Sequence, residues 1–150
     1  MSGWYPCCSC ECYCGNLADI DVELDMTGGG CGCSALTGTW TLSYHLCVPY
    51  PSDANICYWR YELSPLICTW KYIVVLFQSH LSGSGTSGIY NLYFATEASY
   101  PNRQTGGATP ESPVAIWNTA DKTCPPSNLT LTGTNNLYCS WNSNPILNPP

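Results

Sequence analysis

Asp19-Ile20-Asp21-Val22-Glu23-Leu24-Asp25-Met26 alternates acidic and apolar side chains without a break. Successive side chains of an extended chain point to opposite faces, so this stretch reads as a β-strand with one apolar and one acidic face. Thr39-Trp40-Thr41-Leu42-Ser43-Tyr44-His45-Leu46 repeats the pattern, with Trp40, Leu42, Tyr44 and Leu46 on one face. Residues 56–63 alternate Cys57, Trp59, Tyr61 and Leu63 against Ile56, Tyr58, Arg60 and Glu62. Residues 66–77 are apolar on both faces and rich in β-branched and aromatic side chains, which predicts a strand at the centre of a sheet.

The glycine- and serine-rich loop at 82–88 then leads into a strand over 89–95, a hairpin-like arrangement. Weaker strands are expected at 114–117, 129–132 and 137–141, separated by Gly, Pro, Asn and Thr. No segment carries a helical period with caps. About seven or eight short strands with turn signals between them predict an all-β fold, an antiparallel β-sandwich or open barrel. Residues 98–113 read as a long surface loop. The predicted organisation is a cysteine-rich segment over 1–17, a β-sandwich domain over 18–144, and an extended Pro-rich tail over 145–150. Proline lacks the amide donor, so that tail is not expected to extend a sheet.

Composition narrows the classes further. The chain has 150 residues with 12 Cys, 11 Tyr and 6 Trp, but only four basic and ten acidic side chains. A helical bundle needs abundant charge on its solvent faces, and a disordered chain is charge-rich and aromatic-poor; neither description fits. Arg60, Lys71, Arg103 and Lys122 are scattered and the net charge is −6, which argues against binding nucleic acid. The longest apolar run, 72–77, is far short of the ~20 residues that span a bilayer, so no membrane insertion is expected. The start, Met1-Ser2-Gly3-Trp4-Tyr5-Pro6, has neither the basic region nor the apolar stretch of a signal peptide. Twelve cysteines nevertheless suit an oxidising compartment. Three resolutions are open: a processed or abbreviated secreted chain, thiols that bind metal, or assembly inside a cell followed by release through lysis, the ordinary route of a virion protein, which fits both facts together.

The cysteines are unevenly placed. Cys7, Cys8, Cys10, Cys12 and Cys14 crowd the start, Cys31 and Cys33 sit in a glycine-rich turn, and Cys47, Cys57, Cys68, Cys124 and Cys139 are spread over the later chain. From Cys8 to Cys14 they recur at every second position, about 7 Å apart along an extended chain and beyond the usual ~4.4–6.8 Å Cα separation of a disulfide. All twelve are disulfide candidates, with other segments or other subunits as partners. Cys31 and Cys33 are the preferred partners of the amino-terminal row. Cys47, Cys57 and Cys68 are expected to pair with one another or with Cys124 and Cys139. The zinc-knuckle and ferredoxin spacings are absent, although a metal cluster on the amino-terminal thiols is an open alternative.

Few residues point to catalysis. His45 and His80 lie in no nucleophile, metal or phosphate motif, and a paired-carboxylate site would need a larger cleft. No enzyme activity, cofactor or resident metal is expected. The row Asp19, Asp21, Glu23 and Asp25 reads as a solvated strand face; the calcium-loop pattern does not follow it, because Thr27 and three glycines come next. Trp59, Tyr61, Tyr90, Tyr93 and Tyr100 are binding-surface candidates, suited to stacking on sugar rings or filling a partner's pockets. The competing reading places most of the aromatics in the core. Asn128-Leu129-Thr130 matches an N-glycosylation acceptor, relevant only to a eukaryotic secretory context.

The stretches from Gly32 to Leu42, Cys57 to Tyr61, Tyr90 to Phe94 and Cys124 to Thr130 resemble small cysteine-rich β proteins of tailed phages and some environmental bacteria. The resemblance spans residues 7–140 and implies a virion structural role more than an activity. It brings no catalytic residues with it. The expectation is therefore a non-enzymatic tail, fibre, baseplate or capsid-decoration protein, extracellular after lysis. Its partners would be other virion proteins, copies of itself and, at most, host surface glycans. An extracellular carbohydrate-binding or adhesion module is the second reading and a metal-cluster protein the third.

Overall fold

The computed structural model describes residues 19–27, 32–50, 54–80, 88–96, 113–119, 129–135 and 139–148, with the backbone alone at 46–50, 54–56, 78–80 and 119. Eight strands run β1 (Ile20–Met26), β2 (Gly38–Tyr50), β3 (Ala54–Ile67), β4 (Trp70–His80), β5 (Gly88–Ala95), β6 (Ala115–Thr119), β7 (Leu129–Thr134) and β8 (Trp141–Asn148). A short 3₁₀ turn, Cys33–Leu36, precedes β2. All pairings are antiparallel, and they build one sheet in the order β7-β6-β5-β4-β3-β2-β1-β8. Of the two architectures expected, the open barrel is the one adopted: a single curled, nearly closed sheet.

The curl originates in β2. Residues 38–42 pair with β1, whereas 43–50 pair with β3. One strand thus belongs to two differently directed neighbourhoods, and β1 and β8 turn over the inner face of β3 to β6. A register shift falls between Tyr44 and Leu46, so His45 is the extra residue of a bulge. The shared face expected from Trp40 to Leu46 therefore holds through Tyr44, where the alternation is interrupted.

The alternating stretch Asp19–Met26 behaves as its pattern demands. Ile20, Val22, Leu24 and Met26 are buried, and Asp21, Glu23 and Asp25 point outward. They join an inner core with Leu36, Leu42, Trp59, Ile73, Val75, Phe77, Tyr90, Leu92, Phe94 and Trp117. Phe77 stacks on Tyr90 with ring centroids 4.3 Å apart. Burying each large aliphatic or aromatic side chain of this kind contributes about 1.5–3 kcal/mol.

As the two-sided apolar pattern implied, β4 lies in the middle of the sheet. Ile73, Val75 and Phe77 face the inner core, while Tyr72, Val74 and Leu76 join Tyr58, Tyr93 and Ala95 in a second buried cluster on the opposite face. There the Arg60 guanidinium stands 4.9 Å from the centroid of the Tyr72 ring.

Three boundaries differ from expectation. Residues 66–77 are not one strand: Ile67 pairs with Trp70 across a two-residue turn at Cys68 and Thr69, and Cys68 takes the left-handed conformation with φ 57°. The last predicted strand lies later, at Trp141–Asn148 instead of 137–141. Residues 145–148 of the expected tail are accordingly part of the sheet, paired with β1. Pro145 is tolerated because β8 is an edge strand whose register with β1 is broken between Glu23 and Asp25, where no ladder bond from its missing N–H is needed. The loop at 98–112 and residues 149–150 lie outside the described residues.

Candidate functional site

The outer face of β2, β1 and β8 carries the most developed polar arrangement among the described residues. Pairing of β1 with β8 shifts register twice, between Glu23 and Asp25 and again between Asp25 and Met26, with the surplus residues in β8. Bulging lifts β8 away from β1 at this point. An open depression of about 200 Å³ results, lined by Glu23, Asp25, Thr37, Gly38, Thr39, Ser143, Asn144 and Ile146 with the backbone of Leu24 beneath. Ile146 is exposed, a single apolar shoulder beside carboxylates, hydroxyls and an amide.

The carboxylates are fixed by neutral donors. Asn142 Nδ2 donates to Asp25 Oδ2 at 3.0 Å and Ser143 Oγ to the same oxygen at 2.7 Å. Asn148 Nδ2 donates to Glu23 Oε2 at 3.1 Å, and Thr41 Oγ1 to Asp21 Oδ1 at 2.7 Å. These contacts spread across three strands and hold the acidic row in a defined geometry. Glu23 and Asp25, which line the depression, keep acceptor capacity toward it, since a carboxylate offers about four lone-pair sites. Such a surface suits a hydroxyl-rich neutral ligand. Among the described residues, no group of three His, Cys, Asp or Glu side chains is arranged to hold a metal ion.

Only the acidic half of this site was legible in the sequence. Ser143 and Asn144 escaped because the last strand was expected to end at Trp141, and Ile146 because the prolines at the end of the chain argued against a strand. In the structure Pro145 and Leu147 are buried and Ile146 and Asn148 exposed, an alternation that the apolar run Pro145-Ile146-Leu147 does not display in sequence.

The aromatic candidates are placed differently from a binding surface. Trp59, Tyr90 and Tyr93 are core residues, 2%, 2% and 1% exposed, because their strand positions face one or other buried cluster. Tyr61 is exposed and meets Trp40 edge-on, with centroids 5.0 Å apart. Tyr100 lies outside the described residues.

The cysteine pairing also departs from the preferred scheme. Cys33 is bonded not to the amino-terminal row but to Cys139, with Cα atoms 5.7 Å apart and a separation of 106 positions in sequence. The 3₁₀ turn sets Cys33 in the core beside the lead-in to β8, and both cysteines are buried. Cys57 and Cys68 are disulfide-bonded as well. The Cys47 backbone pairs with Cys57 across β2 and β3. Cys7, Cys8, Cys10, Cys12, Cys14, Cys31 and Cys124 lie outside the described residues, and with them the metal-cluster alternative and the Asn128 glycosylation match.

His45, at the β2 bulge, has its pKa lowered from the ordinary 6.5, first by partial loss of hydration and then by the positive charge of Arg60. Among the described residues no helix is long and apolar enough to cross a membrane. No protein-family model, curated protein or solved structure matches this chain.

Proposed function

We propose that this chain is a non-enzymatic structural protein of a virion, serving as a tail, fibre, baseplate or capsid-decoration component. The observation that carries the reading is the buried Cys33–Cys139 bond, which ties together residues 106 positions apart, with Cys57 and Cys68 oxidised too. Covalent closure of a small β body suits a particle released into oxidising surroundings. Four basic and ten acidic side chains in 150 residues leave the molecule with little charge to keep it apart from neighbours. Its partners in this reading are copies of itself and other virion proteins. Mass spectrometry across a density gradient of purified particles tests it. The chain is expected to co-sediment with particles at constant stoichiometry; recovery only as a free monomer overturns the reading.

A second reading, an extracellular carbohydrate-binding or adhesion module, is favoured by the depression between β1 and β8. Its carboxylates, hydroxyls and amide beside the exposed Ile146 supply the acceptors, donors and small apolar shoulder that a sugar ring uses. On a glycan array this reading expects binding that falls when Glu23→Gln and Asp25→Asn are combined. Absence of binding to any glycan removes it.

A further inference from the structure

Two separate disulfides meet at one end of the barrel. Cys33 Sγ, already bonded to Cys139, lies 3.8 Å from Cys68 Sγ, which belongs to another disulfide. That distance is a direct sulfur-to-sulfur contact between the 3₁₀ turn and the β3–β4 hairpin. Exposure ranks the three cysteine residues. Cys33 is 0% and Cys139 4% exposed, whereas Cys68, on its tight turn, is only half-buried. Cys68 is therefore the first of the three that a thiol in solution reaches.

We propose that Cys33, Cys68 and Cys139 form an exchange relay that moves the covalent tie of the 3₁₀ turn from β8 to the β3–β4 hairpin. A small dithiol reduces the disulfide of Cys68. The dithiol is oxidised to its cyclic disulfide, and Cys68 and its former partner become thiols. The Cys68 thiolate then attacks Cys33 Sγ. A Cys33–Cys68 bond forms, the Cys33–Cys139 bond breaks, and the electron pair leaves on Cys139, which takes a proton from water. The second step consumes one disulfide and makes one, so it needs no further oxidant or reductant.

Cys33 stays anchored in both states, while Cys139 and the former partner of Cys68 end as thiols. Freed of its tie, β8 is held by its pairing to β1 and by the Asp25 and Glu23 side-chain bonds. The relay thus gates an edge strand by thiol exposure, and it stands independently of the virion reading.

Graded dithiothreitol, acid quench, alkylation and non-reducing peptide mapping of the intact chain test the relay. Once the Cys68 bond opens, loss of the Cys33–Cys139 peptide is expected to match gain of a Cys33–Cys68 peptide, with Cys139 alkylated and Cys33 protected. Joint alkylation of Cys33 and Cys139 without a Cys33–Cys68 peptide overturns the proposal. So does a Cys33–Cys139 bond that outlasts full reduction of the Cys68 bond. In Cys68→Ser the buried bond is expected to survive dithiothreitol that converts it in the unaltered chain; equal loss in both overturns the relay. Should that variant not fold, the map of the unaltered chain decides alone.

Discussion

The hydroxyl of Thr37 behaves toward Met26 as a strand backbone would: Thr37 Oγ1 accepts from the Met26 amide at 2.9 Å and donates to the Met26 carbonyl at 3.1 Å. One side chain satisfies both polar groups at the end of β1, where the β2 ladder has already stopped at Leu24 and Gly38. Thr37→Val preserves shape and removes both bonds, leaving two backbone groups wanting. A loss of about 1–3 kcal/mol is expected in chemical denaturation, with most of it restored by Thr37→Ser.

Backbone conformation sets the second expectation. Gly38 opens β2 at φ 141° and Gly32 precedes the 3₁₀ turn at φ 85°. A Cβ at either position meets nothing within 4 Å, so any cost arises in the backbone alone. Gly32 lies in the left-handed region that other residues enter at about 1–2 kcal/mol. The φ of Gly38 is essentially reserved to glycine, and its replacement costs about 1–3 kcal/mol or forces the start of β2 to move. Thermal melts are expected to rank Gly38→Ala below Gly32→Ala.

Closure of a 106-residue separation by the Cys33–Cys139 bond restricts the unfolded chain more than any local contact does. In the chain-entropy account a single closure of this length is worth somewhat over 4 kcal/mol, and other disulfides shorten the effective loop. Replacing both partners by Ala is expected to lower unfolding free energy by about 2–5 kcal/mol. A change within error would show that other crosslinks already impose the same constraint.

His45 gives a pH dependence of known sign. Its folded pKa lies below the ordinary 6.5, so around and below that pH the unfolded chain takes up a proton more readily than the folded one. The associated stability is present above about pH 6.5 and lost as pH falls toward the lowered folded value. Melting temperature is expected to fall on mild acidification, and His45→Gln to flatten that part of the profile. Arg60→Gln, which removes the second cause, is expected to shrink it less, since hydration loss is the larger.

By itself the sequence determined what depends on neighbours along the chain. Alternation over 20–26 fixes which side of β1 is buried, and the two-sided apolar run places β4 at the centre, because side-chain direction in a strand has period two. Tertiary structure decided what depends on residues far apart. Whether the strands form a sandwich or one curled sheet turned on β2 changing partners at Ser43. Pro145 could join a strand because β8 is an edge with a broken register. Cys33 found Cys139 because the 3₁₀ turn and the lead-in to β8 meet across β1, a coincidence of position that no spacing encodes. The acids were visible from the start; the depression they line exists only because β8 bulges away beside them.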